Sequence, residues 1–179
     1  LKSYTPFIDR YGQSRHAVWP GKVRSDADLK NSLAEEEKRY TAWGKPQGYD
    51  AWGGYQNAPW KVKGNGYFRV LHSQGKWWLI SPAGNPTFYT SVCGPPSPQW
   101  DLTPVTGREF LFEELTPREN PAPGTPAAWS VNAWGDGAHV EYVSMTVPIL
   151  QRKYGLQDWV KKNEDQAQKR MLYWGFSGL

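Results

Sequence analysis

GKWWLISPAGNPTFYTS, residues 75–91, is the stretch on which the reading of the fold turns. Side chains of adjacent strand residues point to opposite faces, so Trp77 and Trp78 meet two different environments. Ser-Pro-Ala-Gly-Asn at 81–85 has the chemistry of a tight turn, and an aromatic segment resumes directly after it. Upstream, YFRVLH, SQG and KWWLI read as a hairpin with a short glycine-containing loop. PTFYTSVC reads as a third strand, ended by the double proline at 95–96 because proline donates no ladder hydrogen bond.

Outward from this core, residues 1–24 show no sustained period and read as an extended arm laid over a larger body. SDADLKNSLAEEEKRYTAW predicts a helix. Ser25 is its N-cap with Asp28 three residues on, Asp26 and Asp28 favour the positive end, and Leu29, Leu33 and Tyr40 form a narrow apolar stripe. Residues 44–66 are rich in Gly and Pro and read as loop. Residues 95–139 are proline-rich and irregular, but they carry Trp100, Phe110, Phe112, Trp129 and Trp134. Disordered linkers are poor in aromatics, so an ordered, functional long loop is expected. Pro148 opens a further helix that Gly155 closes, and Val160, Ala167, Met171 and Trp174 mark one face of another, ended by Gly175. FSGL then begins a new apolar segment.

The succession of strand, long loop, helices and next strand is one unit of a β/α repeat. A closed (β/α)8 barrel takes about 250 residues, more than the 179 present. The expectation is therefore an α/β chain in two parts. Residues 1–84 form an arm, helix and β-hairpin that pack on a barrel. Residues 85–179 form its first strand, a long substrate-side loop, helices and the start of a second strand. Leu1 reads as a processed or trimmed terminus, with any export signal already absent, which points to a secreted or periplasmic protein.

Composition narrows the function. The net charge is +4 with a pI near 9.1, yet Lys and Arg are scattered among acids rather than gathered into a basic stripe, which argues against nucleic acid as a partner. No apolar run approaches the roughly 20 residues of a membrane span. Cys93 is the single cysteine, which excludes an internal disulfide and a cysteine-built zinc site. The three histidines are too dispersed to suggest a metal, so neither metal nor cofactor is expected. There is no Gly-x-Ser-x-Gly, phosphate loop or dinucleotide fingerprint. Tryptophan stands out, at 11 of 179 residues, with ten tyrosines beside it. Without a basic stripe, that abundance points to carbohydrate: a rigid ring offers an apolar face to sugar C–H groups and a polar tip to hydroxyls. The plainer reading is an aromatic-rich core.

WPGKVRSDADLK, YDAWGGYQNAP, GYFRVLHSQGKWWLISPAGNPTFYTSV, TPVTGREFLFEEL, RKYGLQDW and RMLYWGFSGL occur in that order. The ordered set resembles the β-agarases of glycoside hydrolase family 50 and their relatives, from about residue 5 to 179. The resemblance implies that KWWLI is the middle strand of a hairpin flanking the barrel and that PTFYTSV is barrel strand one. Both tryptophans would then be structural, one on the barrel bottom or helix layer and the other on the N-terminal arm. It further implies a retaining pair of glutamates at the ends of the fourth and seventh strands. Neither strand is present, so the catalytic residues are expected downstream of Leu179 and none is assigned in this chain.

A loop after strand one lies on the face where barrel sites form. Arg108 and Glu109 are therefore candidates for hydrogen bonding to sugar hydroxyls, and Trp129, Trp134 and His139 for stacking and hydrogen bonding. The plainer alternative is that each indole pins the loop to the barrel. Glu109, Glu113 and Glu114 read as salt-bridge or hydroxyl partners rather than catalysts. The expected partners are a polysaccharide or oligosaccharide substrate and the polypeptide carrying the remaining barrel. A non-catalytic carbohydrate-binding module using exposed Trp and Tyr is the alternative.

Overall fold

The computed structural model describes residues 4–44, 46–92, 101–133, 135 and 139–176. Its elements, in chain order, are α1 (Asp26–Trp43), β1 (Arg69–Ser73), β2 (Lys76–Ile80), β3 (Pro86–Thr87), β4 (Leu102–Pro104), β5 (Trp129–Val131), β6 (Glu141–Ser144), α2 (Thr146–Tyr154) and α3 (Trp159–Tyr173). The chain divides into two compact units. The first comprises residues 1–37 and 96–165, and the second residues 38–95 and 166–179.

In the first unit, β6 is the central strand of an antiparallel sheet ordered β4-β6-β5. Tyr142, Val143 and Ser144 are buried, as expected of a strand with a neighbour on each side. Val143 packs with Val105 and Phe112, flanked by Ile8, Leu111, Leu115, Trp129 and Met145. The N-terminal arm is stitched to the same region: the amides of Phe7 and Ile8 donate to the Leu111 carbonyl at 2.8 Å, and Glu113 N–H donates to Ile8 at 2.7 Å. A second cluster joins Ala122, Val147, Leu150, Tyr154 and Trp159, with Leu33 of α1 against it. Trp159 is fully buried, and its indole N–H donates to Thr125 Oγ1 at 3.2 Å.

Helix termini follow the local chemistry. Ser25 Oγ accepts from Asp28 N–H at 3.2 Å, while Asp28 Oδ2 accepts from Ser25 N–H at 3.0 Å, a reciprocal cap on α1. The backbone N–H of Arg24 also donates to Asp28 and is the chief reason its carboxyl lies below the usual range. The first two amides of α2 donate to Asp101 Oδ2 (2.8 Å) and Ser144 Oγ (3.1 Å), which satisfies groups a helix start leaves open. Beyond α3, Gly175 N–H donates to Leu172 and Phe176 N–H to Met171, a Schellman closure.

The second unit holds the antiparallel sheet β1-β2-β3. β1 and β2 form the expected hairpin, in register His72 opposite Trp77 and Leu71 opposite Trp78. Gln74 and Gly75 make the two-residue turn, both at positive φ (53° and 72°), which suits the strand twist. Tyr40 at the end of α1 stacks on Tyr173 of α3 at 4.9 Å and 5°.

An incomplete barrel was expected, and the strands of the described residues pair as two antiparallel triplets. Other expectations are corrected. Of PTFYTSV, Pro86 and Thr87 pair with β2, the chain leaves that ladder at Phe88, and Ser91 makes an isolated bridge. The segment read as an irregular loop contributes β4 and β5 to a sheet. Trp78 packs edge-on against Trp60 (5.2 Å, 78°) and donates to the Ser73 carbonyl, so its partner is loop 44–66 rather than the arm. Trp77 is 73% exposed and touches the ring of His72. Trp174 follows α3 and is exposed, not on its buried face. Cys93 and the last residues of FSGL lie outside the described residues.

Candidate functional site

The sequence-derived candidates fall around the β4-β6-β5 sheet of the first unit. Trp129 opens β5 opposite Val143, and Glu141 opens β6 opposite Val131. Opposite residues share a face, and so do residues two apart on one strand, so Trp129 and Glu141 are diagonal neighbours on one face of the sheet. Arg118, from the proline-rich segment, lies across both. Its guanidinium is 4.4 Å from the Trp129 ring centroid and makes a bidentate pair with the Glu141 carboxylate, Nη2 reaching Oε2 at 2.7 Å. The Trp129 indole N–H donates to the Thr116 carbonyl at 2.9 Å. Trp129 is thus held by its polar tip, by a cation on one face and by the Val143 cluster.

The remaining polar groups gather at the start of β6. Thr106 Oγ1 accepts from Glu141 N–H at 2.9 Å, and Val105 N–H donates to the Glu141 carbonyl at 2.8 Å. Glu109 and Arg108 are exposed at the 3-10 turn Glu109–Leu111, where Glu109 Oε1 accepts from Gly107 N–H at 3.1 Å. His139 is exposed, two residues before Glu141. Trp134 lies outside the described residues. Arg108, Glu109, Trp129 and His139 therefore belong to one unit, with Arg118 and Glu141 joining them.

The electrostatics define what this cluster does chemically. The hydrogen bonds from Arg118 hold the Glu141 carboxyl below its usual range, with His139 adding in the same direction, and Glu141 in turn raises the Arg118 guanidinium. Glu141 is thereby a fixed carboxylate, unlike a glycosidase general acid, which must hold a proton near neutrality. Glu113 pairs with Arg15 (3.5 Å) and Glu114 with Arg10 (3.7 Å), so both serve as salt-bridge partners. Arg118 and Glu141 direct their donors and acceptors at each other. Among the described residues no group of three His, Cys, Asp or Glu side chains is placed to hold a metal ion.

Arg118 and Glu141 were not singled out in the sequence. Glu141 stands in an alternating run, HVEYVS, that signals a strand; Arg118 sits in TPRENPAPG, which carries no such signal.

In sequence and in fold the chain resembles agarases of glycoside hydrolase family 50. It is 29% identical over 200 residues to the beta-agarase B of Vibrio sp. (strain JT0107), in a match spanning 98% of this chain and 20% of that protein. The crystal structure of the agarase AgWH50C superposes with a TM-score of 0.79 at 28% identity, over 98% of this chain and 27% of that one. The structure of PfGH50B follows at 0.76 and 25%, over 97% and 27%. An exo-beta-agarase shares the fold at a TM-score of 0.70 and 23% identity, over 97% of this chain and 28% of its own. No family model matches the chain. The chain spans about a fifth of the length of the curated relative and little more than a quarter of the solved ones.

Proposed function

We propose that this chain is the N-terminal part of a polysaccharide-degrading glycoside hydrolase of the agarase type, cleaving β-glycosidic bonds of a galactan-type polymer. In this reading residues 1–84 pack on a (β/α)8 barrel and residues 85–179 begin it. The two catalytic glutamates lie downstream of Leu179, on the polypeptide that completes the barrel. Arg108, Glu109, Trp129, Trp134 and His139 contact substrate from the loop side. A polymer too large to enter a cell implies action outside it, in a secreted or periplasmic enzyme.

The observation that carries the proposal is the similarity to agarases over 97–98% of the chain, in sequence and in backbone. The test is hydrolysis of neutral galactan by the full-length polypeptide that contains these residues. Release of oligosaccharides is expected. Arg108→Ala and Glu109→Gln should raise KM several-fold and leave kcat within about twofold, the mark of lost binding rather than lost chemistry. Absence of hydrolysis on every galactan overturns the enzyme reading.

A second reading, a non-catalytic carbohydrate-binding module, draws on the exposure of Tyr67, Trp77 and Phe88. Retention of the isolated chain on insoluble galactan, weakened by Trp77→Ala, favours it.

A further inference from the structure

The Ser81–Asn85 turn does more than reverse the chain. Val62 N–H donates to the Gly84 carbonyl at 2.9 Å, and the amides of Asn65 and Gly66 donate to the Pro82 carbonyl at 3.1 Å. The approach is so close that a Cβ on Gly84 (φ +96°) would stand 1.9 Å from the Val62 carbonyl oxygen. The turn and segment 61–64 thereby frame a cleft of about 510 Å³, lined by Gln56, Lys61, Val62, Lys63, Ala83 and Asn85.

The charge in this cleft is one-sided. From residue 46 to 92 the cations are Lys61, Lys63, Arg69 and Lys76, and the only acid is Asp50. Asp50 is already saturated. Its carboxylate accepts from the amides of Trp52 (2.9 Å) and Gly54 (2.8 Å), from Ser81 Oγ (2.6 Å) and from Asn85 Nδ2 (2.8 Å). Among the described residues Lys61 and Lys63 have no ion-pair partner. Behind Lys63, Arg69 donates through Nη2 to its carbonyl at 2.6 Å, while Nη1 is buried without an acceptor. A buried cationic donor left unpaired adds positive potential and is stabilised by a nearby anion.

We infer that this cleft binds an anionic substituent, a sulfate ester or a carboxylate, on an acidic polysaccharide. Lys61 and Lys63 supply the charge, and Gln56 supplies amide hydrogen-bonding groups beside them. The exposed ring of Tyr55, next to Gln56 in the chain, and that of Tyr49, 5.6 Å from it, offer aromatic surface to the sugar. A polynucleotide is the poorer fit, since the two lysines sit in a local cleft and not along an extended basic stripe. This inference rests on the carbohydrate reading above and adds to it the charge of the ligand.

Binding of the full chain to a sulfated galactan oligosaccharide, its desulfated counterpart, a uronic-acid oligosaccharide and a single-stranded oligonucleotide of matched charge tests it. At low salt, affinity for at least one acidic saccharide should exceed that for the desulfated chain about tenfold and fall as salt rises. The sulfated and uronic arms identify which anion is recognised. Lys61→Gln with Lys63→Gln should abolish the preference, whereas Lys76→Gln, outside the cleft, should leave it within about twofold. Affinity for both acidic saccharides no greater than that for the desulfated galactan overturns the inference while leaving the galactan reading standing. Oligonucleotide binding as tight as that of the acidic saccharides also overturns it, because charge alone would then be read. Binding to none of the saccharides, charged or neutral, overturns both.

Discussion

The two units of this chain are held together by different means. Both hydrophobic clusters of the described residues lie in the first unit, around Trp159 and Val143. The second unit buries Ile80 and Tyr40, but much of its order comes from polar contacts: the Asp50 hub, the carbonyls of the Ser81–Asn85 turn and the hairpin ladder. Its large aromatics Tyr67, Trp77, Phe88 and Tyr89 stay exposed. Apolar burial is non-directional and tolerant, whereas a hydrogen-bonded turn depends on each partner. The first unit should therefore fail by losing volume and the second by losing single atoms.

The largest effect belongs to the first unit. Trp159→Ala empties a fully buried site and releases Thr125 Oγ1, at a cost of about 4 kcal/mol. Amide exchange should rise across α2 and β6, while β1 and β2 keep their protection. Equal loss in both units would mean that the contrast drawn above is wrong.

Next comes the backbone contact of the second unit. Gly84→Ala forces a Cβ into the Val62 carbonyl at an unfavourable φ, so a loss of about 3 kcal/mol is expected, with faster exchange at Val62, Asn65 and Gly66. Gly21, at φ +82° with nothing within 4 Å of its Cβ position, is the control: Gly21→Ala carries the backbone strain without the collision. A Gly84→Ala cost no greater than that of Gly21→Ala would remove close packing from the account.

Much of the secondary structure was legible because it is encoded locally. Ser25 and Asp28 announce α1, Gly75 the hairpin, and Pro148 and Gly155 the limits of α2. β4 and β5 were not, since three-residue strands show no alternation and each is defined only by its pairing with β6. The same limit applies to the site. Arg108, Glu109 and His139 are candidates by chain position after the expected strand one, but the Arg118–Glu141 pair spans 23 residues and exists only once β6 lies beside β5. Trp77 shows a different limit: period-2 alternation separates two faces and does not say which is covered.

A smaller effect follows from the Asp50 carboxylate. Burial alone would raise its pKa, but the hydrogen bonds from Asn85, Ser81, Gly54 and Trp52 outweigh that and hold it below the ordinary range. Its stabilisation is therefore complete above the unfolded value of about 3.9 and is lost as pH falls through the lower folded value. Asp50→Asn should cost about 2 kcal/mol at neutral pH and almost nothing below the folded pKa, where wild type has already lost the interaction. Denaturant unfolding at pH 7 and at successively lower pH measures the difference. A mutational cost independent of pH would show that the hub is steric rather than ionic.

The smallest effect discriminates best between roles for the opening tryptophans. Trp78 donates to Ser73 and packs edge-on against Trp60, so Trp78→Ala removes a hydrogen bond and an aromatic contact within the second unit. Trp77 on the opposite face is 73% exposed, and Trp77→Ala should change stability by no more than about 0.5 kcal/mol. Exposure of a large indole without a stability role is tolerated where something else covers the ring, whether sugar or polypeptide. Fluorescence of Trp77, isolated by difference between wild type and the Ala variant, should blue-shift on addition of galactan in the module reading. In the enzyme reading the shift should appear on joining the remaining barrel polypeptide instead. A stability loss above about 2 kcal/mol in Trp77→Ala would return this residue to the core of the second unit and erase its contrast with Trp78.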